Sequence, residues 1–200
     1  MRPLYVFLIF SLTQLYGCGT GIANRASAGK EIICFGDSIT VGAGSTQGND
    51  YPSLLSKQLN MPVINAGVDG DTTEEALKRI ESDVLARDPR LVIVELSGND
   101  FLQGMPTAQT LGNLDKMVEM IQQKGAMVVL VHVTAGYFGD NYLDGFKQIA
   151  KKRRALLIPN ILRGIFTNPL FKSDEIHPND DGYRIIADRI YKAIKPLLKR

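Results

Sequence analysis

"EIICFGDSITVGAG", residues 31–44, sets the architecture. Four apolar residues, 32–35, end at a serine framed by Gly36, Asp37, Ile39 and Thr40, so a short buried strand delivers a hydroxyl at its carboxyl end. Working outward, apolar runs recur at 63–65, 91–96 and 126–131, and more weakly at 155–158. Segments of helical period lie between them. Leu77, Ile80 and Val84 stand at i, i+3, i+7; Leu111, Leu114, Val118 and Ile121 repeat the spacing; Ile186, Ile190 and Ile194 stand four apart. Each stripe buries one helix face. Thr72-Thr73-Glu74-Glu75 reads as a capping box, and Asn179 or Asp180 can cap the last helix after Pro178. Strands alternating with helices predict βαβ units and a parallel sheet, an α/β fold.

In such a sheet the carboxyl ends of the strands bring their loops to one edge, where open α/β folds keep their sites. Gly36-Asp37-Ser38, Asn65-Ala66-Gly67 with Gly70-Asp71, Gly98-Asn99-Asp100 and Asp174-Glu175-Ile176-His177 all arrive there. A serine hydroxyl needs an imidazole to take its proton, and the imidazole needs a carboxylate on its other nitrogen. Asp174 and His177 can supply that pair on one short turn, and Pro178 biases His177 toward extended backbone. The Ser38 and Gly70 N–H groups and the Asn99 amide are candidate donors to an oxyanion. Asn65 and Asp37 suit the bracing of the strand-end loops.

"GDSIT", "NAGVDGDTT", "SGND" and "DEIHPND", in that order, resemble the four blocks of the SGNH or GDSL hydrolases, and "VELSGNDFLQG" resembles the branch of thioesterases, lysophospholipases and arylesterases. The resemblance covers most of residues 31–198. It implies a five-stranded, parallel, flavodoxin-like sheet inside a three-layer α/β/α sandwich. It also implies Ser38 as nucleophile, Gly70 and Asn99 as oxyanion donors, and Asp174 and His177 completing a catalytic triad. Gly67 can be aligned as the oxyanion glycine instead, although the following "GDTT" favours Gly70.

The implied activity is an exported serine ester hydrolase, working on carboxylic esters or thioesters through an acyl-enzyme. A carbohydrate O-deacetylase is the competing enzymatic reading, and a surface module that keeps the fold without catalysis is the non-enzymatic one. Two loops at the catalytic edge, "FLQGMP" and "TAGYFGDNY", carry Phe101, Leu102, Met105, Tyr137, Phe138 and Tyr142. These suit an apolar trough for an acyl chain better than a small cap for acetyl, unless they pack the loops against the helices. A monomer acting on a small-molecule or lipid ester is expected.

The first 17 residues are set apart from that domain. One Arg and an apolar run from Pro3 to Phe10 suit a secretory signal too short to span a bilayer. Leu15-Tyr16-Gly17-Cys18 resembles a bacterial lipobox, in which the cysteine is acylated and becomes the new N-terminus. Gly19 then favours the outer membrane, facing the periplasm; an ordinary cleaved signal with Cys18 incidental is the other reading, giving a periplasmic or secreted protein. Residues 18–30 read as a flexible tether and 31–200 as one hydrolase domain.

With 23 basic and 21 acidic residues in a chain of 200, no charge excess points to nucleic acid. The run Lys151-Lys152-Arg153-Arg154 reads as a solvated helix end suited to the helix dipole. Cys34, inside an apolar run, reads as a buried inert thiol. His132 reads as a satisfied core or near-site histidine rather than a catalytic one. P-loop, dinucleotide-binding and G-x-S-x-G patterns are absent, and two histidines without a cysteine cluster give no transition-metal site, so no metal or cofactor is expected.

Overall fold

Alternation decides where each side chain of the first strand points. In β1 (Glu31–Gly36), Ile32 and Cys34 join one buried cluster and Ile33 and Phe35 another, so the strand is covered on both faces, as parallel sheets require. The structure is a computed structural model describing residues 21–133 and 142–199. After β1 come α1 (Ser38–Val41), α2 (Tyr51–Leu59), β2 (Val63–Gly67), α3 (Thr73–Asp83), β3 (Pro89–Glu95), α4 (Gly98–Leu102), α5 (Thr107–Gln123), β4 (Met127–Val131), α6 (Leu143–Arg153), β5 (Leu156–Ile158) and α7 (Asp180–Leu198). All neighbouring strands pair in parallel, in the order β2-β1-β3-β4-β5. This is the five-stranded, flavodoxin-like sheet that the resemblance implies.

Helices α3, α5 and α6 cover one face and α2 and α7 the other, giving three layers. Ile80, Leu114, Val118 and Ile121 lie over Ile33, Phe35 and Val92 on the first side; Ile186, Ile190 and Ile194 lie over Ile32, Cys34 and Ile93 on the second. Full burial of each such isoleucine stabilises by about 1.5–3 kcal/mol. The capping box of α3 forms as the sequence suggests, Thr72 accepting from the Glu75 N–H while the Glu75 carboxylate accepts from the Thr72 N–H. Asn179 caps α7.

The basic run 151–154 is not merely solvated. Arg153 reaches Asp115 at 2.7 Å and Glu119 at 2.7 Å, and Lys152 reaches Asp115 at 2.8 Å. The two acids stand one turn apart on α5, so the end of α6 is tied to α5 by ion pairs as well as suited to its own dipole. These bonds hold the Asp115 carboxyl down at about 2.

Candidate active site

The site begins where β1 runs out of room. A Cβ on Gly36 would lie 2.1 Å from Thr40 Oγ1 and 2.4 Å from the Glu95 carbonyl oxygen, so only glycine fits against the neighbouring strand. Asp37 follows as the cap of α1, its Oδ1 accepting the Ile39 N–H at 3.0 Å. Ser38 is therefore the first residue of a helical turn at the strand's end. β1 and β3 are the pair at which the strand order turns, and such a switch point opens a crevice.

His177 comes to Ser38 from the far end of the chain. Its Nε2 lies 3.0 Å from Ser38 Oγ, and its Nδ1 lies 2.8 Å from Asp174 Oδ2. The other Asp174 oxygen accepts the backbone N–H groups of Ile176 and His177 at 2.8 and 2.7 Å, so one carboxylate both bends the turn and orients the ring. Lys172 and Pro178 form an antiparallel bridge that closes the loop, and Ser173 N–H donates to the His177 carbonyl at 3.0 Å. Hydrogen bonds from His177, side chain first, hold the Asp174 carboxyl down at about 2. An ionised carboxylate, an imidazole and a hydroxyl in series can move a proton away from the hydroxyl.

Opposite them, the Asn99 amide donates to the Asp71 carbonyl at 3.0 Å and to Asp37 Oδ2 at 3.3 Å. Gly70, one residue before Asp71, has φ +79°, and its N–H meets no acceptor among the described residues. The Gly67 N–H is already given to Asn65 Oδ1 at 3.0 Å. A Cβ on Gly67 would lie 2.5 Å from the Val41 nitrogen, so that glycine serves the close packing of β2 against α1. Of the two glycines, Gly70 has the unengaged donor. Arg79 braces this side: its guanidinium bonds the carbonyls of Gly36 at 3.0 Å and Ala66 at 2.9 Å, pairs with Asp71 and Asp83, and lies 4.3 Å from the centre of the Phe35 ring. Asp100, fully buried, accepts from the Thr73 N–H at 2.9 Å and from the hydroxyls of Thr73 and Thr110.

The cavity beside Ser38 and His177 has an apolar wall of Ile39, Leu102, Val133, Leu162, Phe166 and Ile176. Among the described residues, Leu102 alone of the expected contact residues lies in it. Asn99 and Leu102 are three apart on α4 and share its cavity face, which turns Phe101 inward against the α3 and α5 layer. Met105 is half-buried outside the wall, and Tyr142 is buried in the same core as Phe146. None of these three lines the described cavity. Tyr137 and Phe138 lie outside the described residues, as does Cys18. Ile39, Val133, Ile176, directly before His177, and Leu162 and Phe166, four apart just after β5, are the contacts that sequence reasoning missed; position at the sheet's carboxyl edge is the signal that would have found them. His132 is buried and does not line the cavity, its Nδ1 3.1 Å from Asn160 Oδ1 and its ring edge-on to Phe146. Cys34 is buried, and burial pushes its thiol well up.

Residues 34–185 match the model of the GDSL-like lipase/acylhydrolase family. The chain is 31% identical over 182 residues to thioesterase 1/protease 1/lysophospholipase L1 of Escherichia coli K12, covering 87% of this chain and 88% of that one. Among solved structures, the crystal structure of TesA superposes with a TM-score of 0.78 at 29% identity, covering 84% of this chain and all (100%) of that one. The psychrotrophic esterase EstA from Pseudoalteromonas sp., in a structure inhibited by monoethylphosphonate, gives 0.76 at 27% identity, with 86% and 100% coverage. No helix among the described residues is long and apolar enough to cross a membrane. From block order, sheet topology and these likenesses together, the chain belongs to the GDSL-like lipase/acylhydrolase family, as an esterase of the SGNH class.

Proposed function

We propose that this enzyme is an exported hydrolase of carboxylic esters or thioesters that works through an acyl-enzyme on Ser38. The observation that carries the reading is the hydrogen-bonded series Ser38 Oγ to His177 Nε2 to Asp174, at 3.0 and 2.8 Å. Ser38 Oγ attacks the acyl carbonyl while His177 Nε2 takes its proton, and Asp174 stabilises the imidazolium that forms. The oxyanion is received by the N–H groups of Ser38 and Gly70 and by the Asn99 amide, whose long, 3.3 Å bond to Asp37 Oδ2 leaves that N–H to be shared with it. Its collapse breaks the bond to the leaving alcohol or thiol, which takes the proton from His177. Water, deprotonated by the same imidazole, then releases the acid and restores Ser38.

The apolar wall favours an acyl chain over acetyl, since each buried methylene is worth about 0.8 kcal/mol. Ile39, Leu162 and Phe166 line the side where such a chain would lie. Export, with Cys18 as the acylated anchor, rests on the signal-like run and on Leu15-Tyr16-Gly17-Cys18. Turnover of p-nitrophenyl esters of increasing length tests the substrate reading. kcat/KM is expected to rise from acetate to chains of roughly six to ten carbons, and Phe166→Ala to flatten that rise. A maximum at acetate, with strong release from acetylated xylan, would replace it with the deacetylase reading. Ser38→Ala should lower kcat by about three orders of magnitude or more.

A further inference from the structure

Two carboxyl groups lie buried together beneath Ser38, and neither belongs to the proton path of the reaction. Asp37 is 3% exposed and Glu95, the last residue of β3, is 1% exposed. They meet because Gly36 pairs with Glu95 across the sheet. Glu95 Oε2 accepts the Thr40 hydroxyl at 2.8 Å, and the Thr40 oxygen in turn lies 2.8 Å from the Tyr51 hydroxyl. Glu95 Oε1 has no hydrogen bond among the described residues, and besides Thr40 the Asp37 side chain and backbone N–H are the neighbours that act on the Glu95 carboxyl. Both Asp37 oxygens already serve the site, Oδ1 on the Ile39 N–H and Oδ2 on the Asn99 amide.

A buried oxygen without a donor, facing a second carboxylate, is costly if both groups are ionised. A proton held between them removes one charge and satisfies that oxygen. We propose that Glu95 is a positioning residue, which keeps a proton on Oε1 and donates it to Asp37, so that the pair carries one negative charge and Asp37 holds both the first turn of α1 and the Asn99 amide in place. The proposal rests on the reading of Asn99 as an oxyanion donor. A second charge on the pair would arise beside the forming oxyanion and oppose it.

The surrounding groups are consistent with that single proton. Cys34 on β1, Tyr51 on α2 and Tyr183 on α7 are all pushed up by burial and stay neutral, so they offer the pair no counter-charge. Asp71, just before α3, adds negative field at Asp37, Asp50, at the start of α2, acts on Cys34, and His177 is the group whose charge favours ionised Asp37. Burial raises both carboxyls, and Glu95 is held well above the usual carboxylate range, which makes it the proton holder.

The test compares wild type, Glu95→Gln and Glu95→Ala. Glutamine keeps both bonds, its carbonyl accepting from Thr40 and its NH₂ donating to Asp37, and has no proton to lose. Wild-type kcat should fall at alkaline pH as the shared proton leaves, and in Glu95→Gln that fall should vanish while at least about a third of kcat near pH 7 is kept. Glu95→Ala should lose about tenfold or more in kcat with KM within about twofold. Infrared spectra should show the carbonyl stretch of an un-ionised carboxylic acid near pH 7 in wild type and in Ser38→Ala, and not in Glu95→Gln. An alkaline fall unchanged in Glu95→Gln, or no such band in wild type, overturns the proposal. Should Glu95→Ala fail to fold, the glutamine profile and the spectra still decide it. The band in Ser38→Ala is read without turnover, so failure of the esterase reading is distinguishable from failure of this one.

Discussion

The two sides of the site are built in opposite ways. The 174–177 turn is local and half in water: Asp174, with a side chain 52% exposed, makes its three bonds within its own four-residue segment. The side that faces the oxyanion is buried and assembled from afar, with Asp37 from β1, Asn99 after β3, Gly70 after β2, and Glu95 and Arg79 bracing them. A local turn can be lost without disturbing the fold, whereas a buried long-range network carries structure and chemistry together. Substitutions on the two sides should therefore separate activity from stability differently.

The largest separation is expected on the local side. His177→Ala should cost kcat about three to four orders of magnitude while the midpoint of thermal unfolding moves little, because among the described residues the ring hydrogen-bonds only Ser38 and Asp174. On the buried side, Asn99→Ala should cost roughly 2.7–4 kcal/mol of transition-state stabilisation, read from kcat/KM. It should also lower stability measurably in denaturant, since the Asp71 carbonyl and Asp37 lose a donor. Equal stability losses in the two variants would break the comparison.

That contrast also governs what could be read from the sequence. Ser38, Asp174, His177 and Asn99 stand in short motifs whose chemistry is local, and the box at Thr72 and Glu75 and the stripe Ile186, Ile190, Ile194 are legible from spacing alone. Helix α2 is marked only by its Asp50 cap and early Pro52, and a nine-residue helix with few periodic positions leaves little for pattern reading. Glu95 looks like an ordinary strand end until β1 is set beside it, and Arg79 like a surface helix residue until the ends of β1 and β2 and Asp71 converge on it. Phe101, on the short α4, and Tyr142, at the start of α6, stand at the right edge yet turn into the core, because Asp100 and Phe146 fix the elements that carry them. Cavity contacts such as Leu162 and Phe166 carry no local motif and are marked only by following β5 at the sheet's carboxyl edge.

Away from the site, pH sharpens the same distinction between paired and solvated charge. Asp115 is held at about 2 by Arg153, below its ordinary unfolded value, so its ion pair stabilises the fold above about pH 4 and is lost as pH falls through about 2. Asp115→Asn should cost about 1–2 kcal/mol at neutral pH and remove part of the acid-induced loss of stability, measured by denaturant unfolding across that range. The smallest effect is expected at Ser97, which sits at φ +124° with a buried hydroxyl that finds no partner among the described residues. Ser97→Gly should raise stability by about 1 kcal/mol, because glycine adopts that backbone freely and leaves no hydroxyl to satisfy.

The central claim is that Ser38 is the residue acylated, and that His177 makes it reactive. Treating the full chain with a fluorophosphonate and mapping the modified peptide by mass spectrometry tests it directly. One adduct on Ser38, formed in wild type and slowed by about three orders of magnitude or more in His177→Ala, is the predicted result. No adduct, an adduct on another residue, or labelling of Ser38 at the same rate without His177 would contradict it.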